Sequence, residues 1–181
     1  MTDLASLEAR LKRVEDRDEI RTLVARYGTI VDNRDIEALH GVFTPDARFS
    51  GKGAPGQIEG RDAVVTHYKN RFNLMTVSNH FTHDHVIWFD DDGIARGHVN
   101  AHVEMIFHGE PNIVAMRYED TYEEHEGRWK FKERITSFFY YLKAEDYTSL
   151  LGDRQRVFTT DEPMDSDWPE GIESWQAYSK K

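Results

Sequence analysis

Ala95-Arg96-Gly97-His98-Val99-Asn100-Ala101-His102-Val103-Glu104-Met105-Ile106-Phe107 sorts into two interleaved sets. Val99, Ala101, Val103, Met105 and Phe107 are apolar, whereas His98, Asn100, His102 and Glu104 are polar. Successive side chains of a strand point to opposite faces, so this stretch reads as a strand with one dry face and one wet face. His80–Phe89, Ile113–Glu123 and Trp129–Leu142 alternate or are rich in β-branched and aromatic residues in the same way. The joints Asp90-Asp91-Asp92-Gly93, Gly109-Glu110-Pro111-Asn112 and Glu126-Gly127 read as turns of antiparallel hairpins.

Upstream the period is helical. Leu4, Leu7, Leu11 and Val14, then Ile20, Leu23, Val24 and Tyr27, recur at three- and four-residue spacing. The spacing predicts helices over about 3–15 and 17–31, or one continuous helix, with Asp18-Glu19 favouring a helix start. A short third helix carries Ile36, Leu39, His40 and Phe43, with Asp32 or Asn33 as its N-cap and Pro45 beyond its end. Ala47–Ser50 reads as a strand, the segment with Gly51, Gly53, Pro55 and Gly56 as a loop, and Gly60–Phe72 as a further helix. Helices followed by a meander of long strands specify an α+β domain with helices on one sheet face. Residues 1–143 form that domain. Residues 144–181 are a polar extension, aromatic enough to pack on the domain or on a neighbouring subunit.

The 181 residues suit one domain, and 39% hydrophobic content is enough to bury a core. A net charge of −10 without a basic stripe argues against nucleic acid as a partner. The absence of cysteine excludes disulfides, thiolate zinc sites, iron–sulfur clusters and a cysteine nucleophile. No basic-then-apolar leader opens the chain and no run approaches a membrane span, so the expectation is a soluble, cytoplasmic protein.

Tyr27, Asp32 and His80 are the residues with the chemistry for a site. A carboxylate beside an imidazole raises its basicity and fixes its tautomer, and a tyrosine hydroxyl can hydrogen-bond a carbonyl or leaving group. Asp32 as a helix cap, Tyr27 as core and His80 as one exposed histidine among nine are the structural alternatives. On an unbroken helix, positions 27 and 32 stand roughly 140° apart. The late strand places Arg134, Thr136, Phe138 and Tyr140 on one face, with Arg134 either a ligand for a substrate oxygen or, weighing slightly more, a surface ion-pair partner. His83 with His85, and His98 with His102, would gather four imidazoles for a metal if their strands paired in register; a solvated or interfacial cluster outweighs that reading. No metal is expected, since the chain has no thiolate ligands and the candidate base already has a carboxylate partner. No cofactor is expected, since no phosphate loop or dinucleotide fingerprint is present; nor is there a nucleophile elbow.

Asp18-Glu19-Ile20-Arg21-Thr22-Leu23-Val24-Ala25-Arg26-Tyr27, Val31-Asp32-Asn33-Arg34-Asp35 and Phe43-Thr44-Pro45-Asp46-Ala47 resemble the opening of the SnoaL-like branch of the nuclear transport factor 2-like superfamily. Asn79-His80-Phe81, Gly127-Arg128-Trp129-Lys130-Phe131 and the helix at Gly60–Phe72 follow in the same order, and the resemblance covers about residues 5–142. It implies a cone-shaped, curved antiparallel sheet closed by helices around a deep pocket. Members include scytalone dehydratase, bile acid 7α-dehydratase, hexachlorocyclohexane dehydrochlorinase, steroid Δ-isomerase and polyketide cyclases. The resemblance maps their aspartate–histidine pair onto Asp32 and His80, and the tyrosine of the bile acid enzyme onto Tyr27.

Other family positions differ here. The bile acid enzyme's late-strand arginine falls on Phe138, its second pocket aspartate near Val103, and the second histidine of scytalone dehydratase near Met105. The implied pocket, with Val103, Met105, Phe138, Tyr140 and Arg134 as substrate contacts, is thus more apolar and suits a bulky aromatic or alicyclic molecule. The leading expectation is a cofactor-independent lyase: a dehydratase, or a related elimination or retro-aldol cleavage. An isomerase of the steroid Δ-isomerase type and a non-catalytic binding or accessory subunit are the alternatives. A homo-oligomer, trimer before dimer, with the polar face of Ala95–Phe107 near its interface, is also implied.

Overall fold

The computed structural model describes residues 3–52, 56–90, 93–160 and 162–179. Both expected N-terminal helices are one, α1 (Leu4–Asp32), capped by Asp3, whose carboxylate accepts from the Ser6 N–H at 2.7 Å. Asp18-Glu19 therefore opens no helix. Glu19 instead accepts from Arg128 Nε at 2.7 Å and from the Trp129 N–H at 3.3 Å, fastening a strand end to the helix. The first turns of α1 stand off the domain with Leu4, Leu7, Leu11 and Val14 exposed, whereas Ile20, Leu23, Val24, Tyr27, Ile30 and Val31 are buried.

The chain reverses through Arg34, whose φ of 55° is left-handed. It enters α2 (Ile36–Gly41) with Asp35 as N-cap, accepting from the Ala38 N–H at 3.0 Å. The cap is therefore neither Asp32 nor Asn33, because Asp32 still belongs to α1. There follow β1 (Phe43–Gly51), β2 (Ile58–Glu59), α3 (Arg61–Phe72), β3 (Met75–Phe89), β4 (Ala95–Phe107), β5 (Glu110–His125) and β6 (Arg128–Lys143).

The six strands make one curved sheet in the order β2-β1-β6-β5-β4-β3. All neighbours are antiparallel except β1 and β6, which run parallel. The β5–β6 turn is Glu126-Gly127, as expected, with φ of 56° and 70°. The β4–β5 turn is His108-Gly109, with φ of 50° and 82°, so the expected Glu110-Pro111-Asn112 already lies in β5. Two-residue hairpins need such left-handed pairs to match strand twist. Asp91 and Asp92 of the third expected turn, and Gly53 and Pro55 of the expected loop, lie outside the described residues.

The apolar set of β4 is buried as the alternation predicts. It packs with Val64, Val65, Tyr68 and Phe72 of α3 and the buried stripe of α1. The α+β class with helices on one sheet face is the observed architecture. After β6 the chain runs through a 3-10 turn (Ala144–Asp146), α4 (Tyr147–Leu150) and α5 (Glu173–Ser179). Val157 bridges to Tyr141 of β6, laying the extension back on the domain.

Candidate active site

Asp32, the last residue of α1, faces β3. Its carboxylate accepts three hydrogen bonds: from Ser78 Oγ at 2.9 Å, the His80 N–H at 2.7 Å, and His80 Nδ1 at 2.6 Å. Burial raises the Asp32 pKa, but the bonds and charge of His80, with Ser78, outweigh it and leave the group below its ordinary value of 3.8. An ionised carboxylate only accepts, so Nδ1 carries a proton, and in the neutral ring that leaves the lone pair on Nε2. The two side chains are only 10% and 16% exposed, and His80 borders the cavity while Asp32 stands behind it. The contact requires strand and helix to come close. Gly28, on α1, provides the room: a Cβ there would lie 3.3 Å from the His80 Cβ.

Tyr27 also borders the cavity, and its ring meets His80 edge-on at 6.4 Å between centroids. Tyr27 and Asp32 do not converge on an unbroken α1; the His80 imidazole lies between them, touching both. The Tyr27 hydroxyl is hydrogen-bonded to that of Tyr68 at 2.5 Å. Burial, reinforced by Tyr27, pushes the Tyr68 pKa well up, with Arg134 opposing, so Tyr68 is a neutral phenol.

Arg134 is neither a substrate ligand nor a surface ion-pair partner. Its side chain is fully buried and paired through Nε and Nη2 with both oxygens of Asp120, each at 2.7 Å. The guanidinium lies 4.0–4.2 Å from the ring centroids of Tyr27, Tyr118 and Phe131, beneath the cavity floor. Thr136 and Phe138, further along the same face of β6, border the cavity, whereas Arg134 lies in the packed core.

Above this floor opens a cavity of about 630 Å³. Val103, Met105 and Phe138 line it; Tyr140 does not. The register slips between Ala115↔Tyr140 and Met116↔Phe138, leaving Phe139 as an extra residue. The bulge flips the alternation, so Tyr141 joins Phe138 inside and Tyr140 packs outside against Tyr147 and His102. Met75, Met105, Met116 and Met164, four of the five methionines, border the space, so the lining adapts to different apolar shapes.

The extension supplies part of this wall through Val157, Thr159, Thr160, Met164, Asp165 and Asp167. Arg156 anchors it, bonding Glu170 at 2.7 and 2.9 Å and the Phe139 carbonyl at 2.7 Å. Trp168 stacks on Phe139 at 4.9 Å.

The four histidines do not converge. A second bulge, between Thr82 and His85, turns His83 outward onto His102, at 2.7 Å, and His85 inward onto the Tyr122 hydroxyl, at 3.1 Å. His98 packs on Trp88. Among the described residues no group of three or more His, Cys, Asp or Glu side chains could hold a metal ion. Nor, among them, is any helix long and apolar enough to cross a membrane.

Gly28, Tyr68, Ser78, Asp120 and Tyr141 were not legible as site residues. A glycine in a helix was the one available signal, since it lowers helix propensity without an evident return. Tyr68 reads only as one of the apolar residues Val64, Val65, Tyr68 and Phe72 at helical spacing, and Ser78 carries no local pattern.

Several solved structures share the fold. A hexachlorocyclohexane dehydrochlorinase, LinA-type3 from Novosphingobium barchaimii, superposes with a TM-score of 0.68 and 20% identity over 74% of this chain and 93% of its own. An NTF2-like protein with a cystatin-like fold from Novosphingobium aromaticivorans gives 0.61 at 27% identity, over 76% and 91%. The Kfla4162 protein of Kribbella flavida gives 0.66 at 19%, over 74% and 97%. No curated protein matches by sequence. The SnoaL-like domain profile matches residues 12–135, from the buried half of α1 into β6 and short of the extension, and the chain belongs to the SnoaL-like family within the NTF2-like superfamily.

Proposed function

We propose that the protein is a cofactor-independent lyase that removes water or another leaving group from a bulky aromatic or alicyclic molecule. One observation carries this: an imidazole held by a half-buried carboxylate borders an apolar cavity beside a pair of phenols. His80 Nε2 takes a proton from carbon, and Asp32 stabilises the imidazolium that forms. The C–H electron pair becomes the new π bond as the leaving group departs. The Tyr27–Tyr68 pair shares one proton internally and has a second to offer, which hydrogen-bonds the departing atom. The proton on His80 then leaves with that group, restoring the base. Apolar walls exclude water and strengthen each of these interactions. The dehydrochlorinase among the structural neighbours is named for an elimination of this class.

Retro-aldol cleavage would use the same groups. Isomerisation would also, because the phenol pair can polarise a carbonyl, and the product then retains every atom of the substrate. Purified protein incubated with cyclic alcohols and halides carrying an acidic C–H beside the leaving group tests the reading. Turnover should fall roughly 10²–10⁴-fold in His80→Ala and survive EDTA. Undiminished turnover without His80, or loss on chelation restored by zinc, would refute it.

A further inference from the structure

The charged groups that border the cavity are mostly paired. Lys52 reaches Glu119 at 3.0 Å, Asp165 reaches Arg154 at 2.7 Å, and His80 holds Asp32. Asp167 accepts from the Phe138 N–H at 2.7 Å. Arg71, in the last turn of α3, is different: among the described residues no carboxylate lies within ion-pair distance of it. Its neighbour Lys69 is exposed in the same turn and suffices for the helix dipole. Arg71 instead borders the cavity, with its guanidinium carbon 5.0 Å from the Phe107 ring centroid.

Two polar partners accompany it. Tyr141, whose hydroxyl donates to the Met105 sulfur at 3.4 Å, also borders the cavity; burial pushes its pKa up, while the charge and hydrogen bond of Arg71 oppose that. His67, one turn earlier on α3, also borders the cavity; burial and then Arg71 hold its pKa down, leaving it neutral. The place of this group in the cavity is informative. Phe107 follows Val103 by four residues on β4, and Val103 is the register partner of His80. Those four residues span about 13 Å of strand. The guanidinium thus lies by Phe107, four residues along β4 from the rung of His80 and Val103, while Tyr141 stands on that rung three strands away from His80.

We propose that Arg71, with Tyr141 and His67, binds a carboxylate or comparable anionic group, so that the substrate is a hydrophobic organic acid whose reacting carbon lies on the order of 10 Å from its anion. The position of the reacting carbon rests on the reading of His80 as the base. The anion site itself does not. A guanidinium offers a carboxylate paired N–H donors, and apolar walls strengthen that attraction.

Calorimetric titration with 4-biphenylcarboxylate and its neutral isostere 4-biphenylcarboxamide tests the site without turnover. The carboxylate should bind at least about tenfold more tightly, the low end for a hydrogen bond to a charged group. Arg71→Gln should abolish that preference and leave amide affinity unchanged, and Arg71→Lys should retain part of it. His80→Ala should keep the full preference, so failure of the acid–base reading would leave this result standing. Equal affinities in the native protein, no binding of the carboxylate at millimolar concentration, or a preference surviving in Arg71→Gln would each overturn the proposal.

Discussion

The Cβ that Gly28 lacks would stand 3.3 Å from the Cβ of His80. The absence of a side chain on α1 is thus what lets β3 lie close enough for Asp32 to hold both the ring and the backbone N–H of His80. Gly28→Ala favours the helix by roughly 0.5–1 kcal/mol in propensity but pushes the strand away. The expected result is a thermal midpoint that hardly moves and a turnover that falls several-fold to about tenfold. Unchanged turnover would mean that helix and strand separate without displacing the base.

Arg156 and Glu170 fasten the extension that forms part of the cavity wall. Arg156 is 2% exposed, so Arg156→Gln strands a partly buried carboxylate and should cost about 3 kcal/mol on chemical denaturation. Apolar ligands should also bind more weakly, because Val157 and Met164 form part of the wall. Full affinity after the substitution would make the extension an ornament to the site.

Much of this architecture could be read from alternation. The dry face of β4 was plain because nothing interrupts it from Val99 to Phe107. β6 was misread where Phe139 adds one residue, since a bulge depends on the partner strand and leaves no mark in the strand that carries it. The same device parted His83 from His85. Arg134 was misplaced for a related reason: its partner Asp120 sits on another strand, and only pairing reveals that the two neutralise each other in the core. The Asp32–His80 contact came from resemblance, as no spacing rule joins the end of a helix to a strand 48 residues later.

His85 gives the fold a pH dependence. Burial above all, with Arg134 and Arg21 against the opposing Asp120, pushes its pKa down to about 4 from the ordinary 6.5. Between those values the unfolded chain takes up a proton that the folded chain refuses, so stability falls as pH drops from 6.5 toward 4. His67 and His102 shift the same way. Asp32, with a lowered pKa, contributes stability that is lost only at still lower pH, below the ordinary 3.8. Urea unfolding at about pH 7 and about pH 5 should show a smaller difference in His85→Gln than in the native protein. An identical difference would show that His85 titrates normally.

The outer face of β3 and β4 leaves Phe81, Val86 and Trp88 partly exposed beside His98 and His102. We propose that this face is covered in a homo-oligomer, a trimer before a dimer. Light scattering at micromolar concentration should give a multiple of the 21.2 kDa chain mass, and Trp88→Glu should reduce it. A monomeric native protein would contradict the assignment.

The central claim is that His80 meets its substrate as a base, with the proton on Nδ1 and the lone pair on Nε2. Nitrogen-15 NMR of the histidine side chains reads this directly and needs no substrate. The His80 signals, assigned by their loss in His80→Ala, should show Nδ1 protonated and Nε2 unprotonated in the neutral ring, with that preference weakened in Asp32→Asn. A neutral His80 carrying its proton on Nε2 would contradict the account.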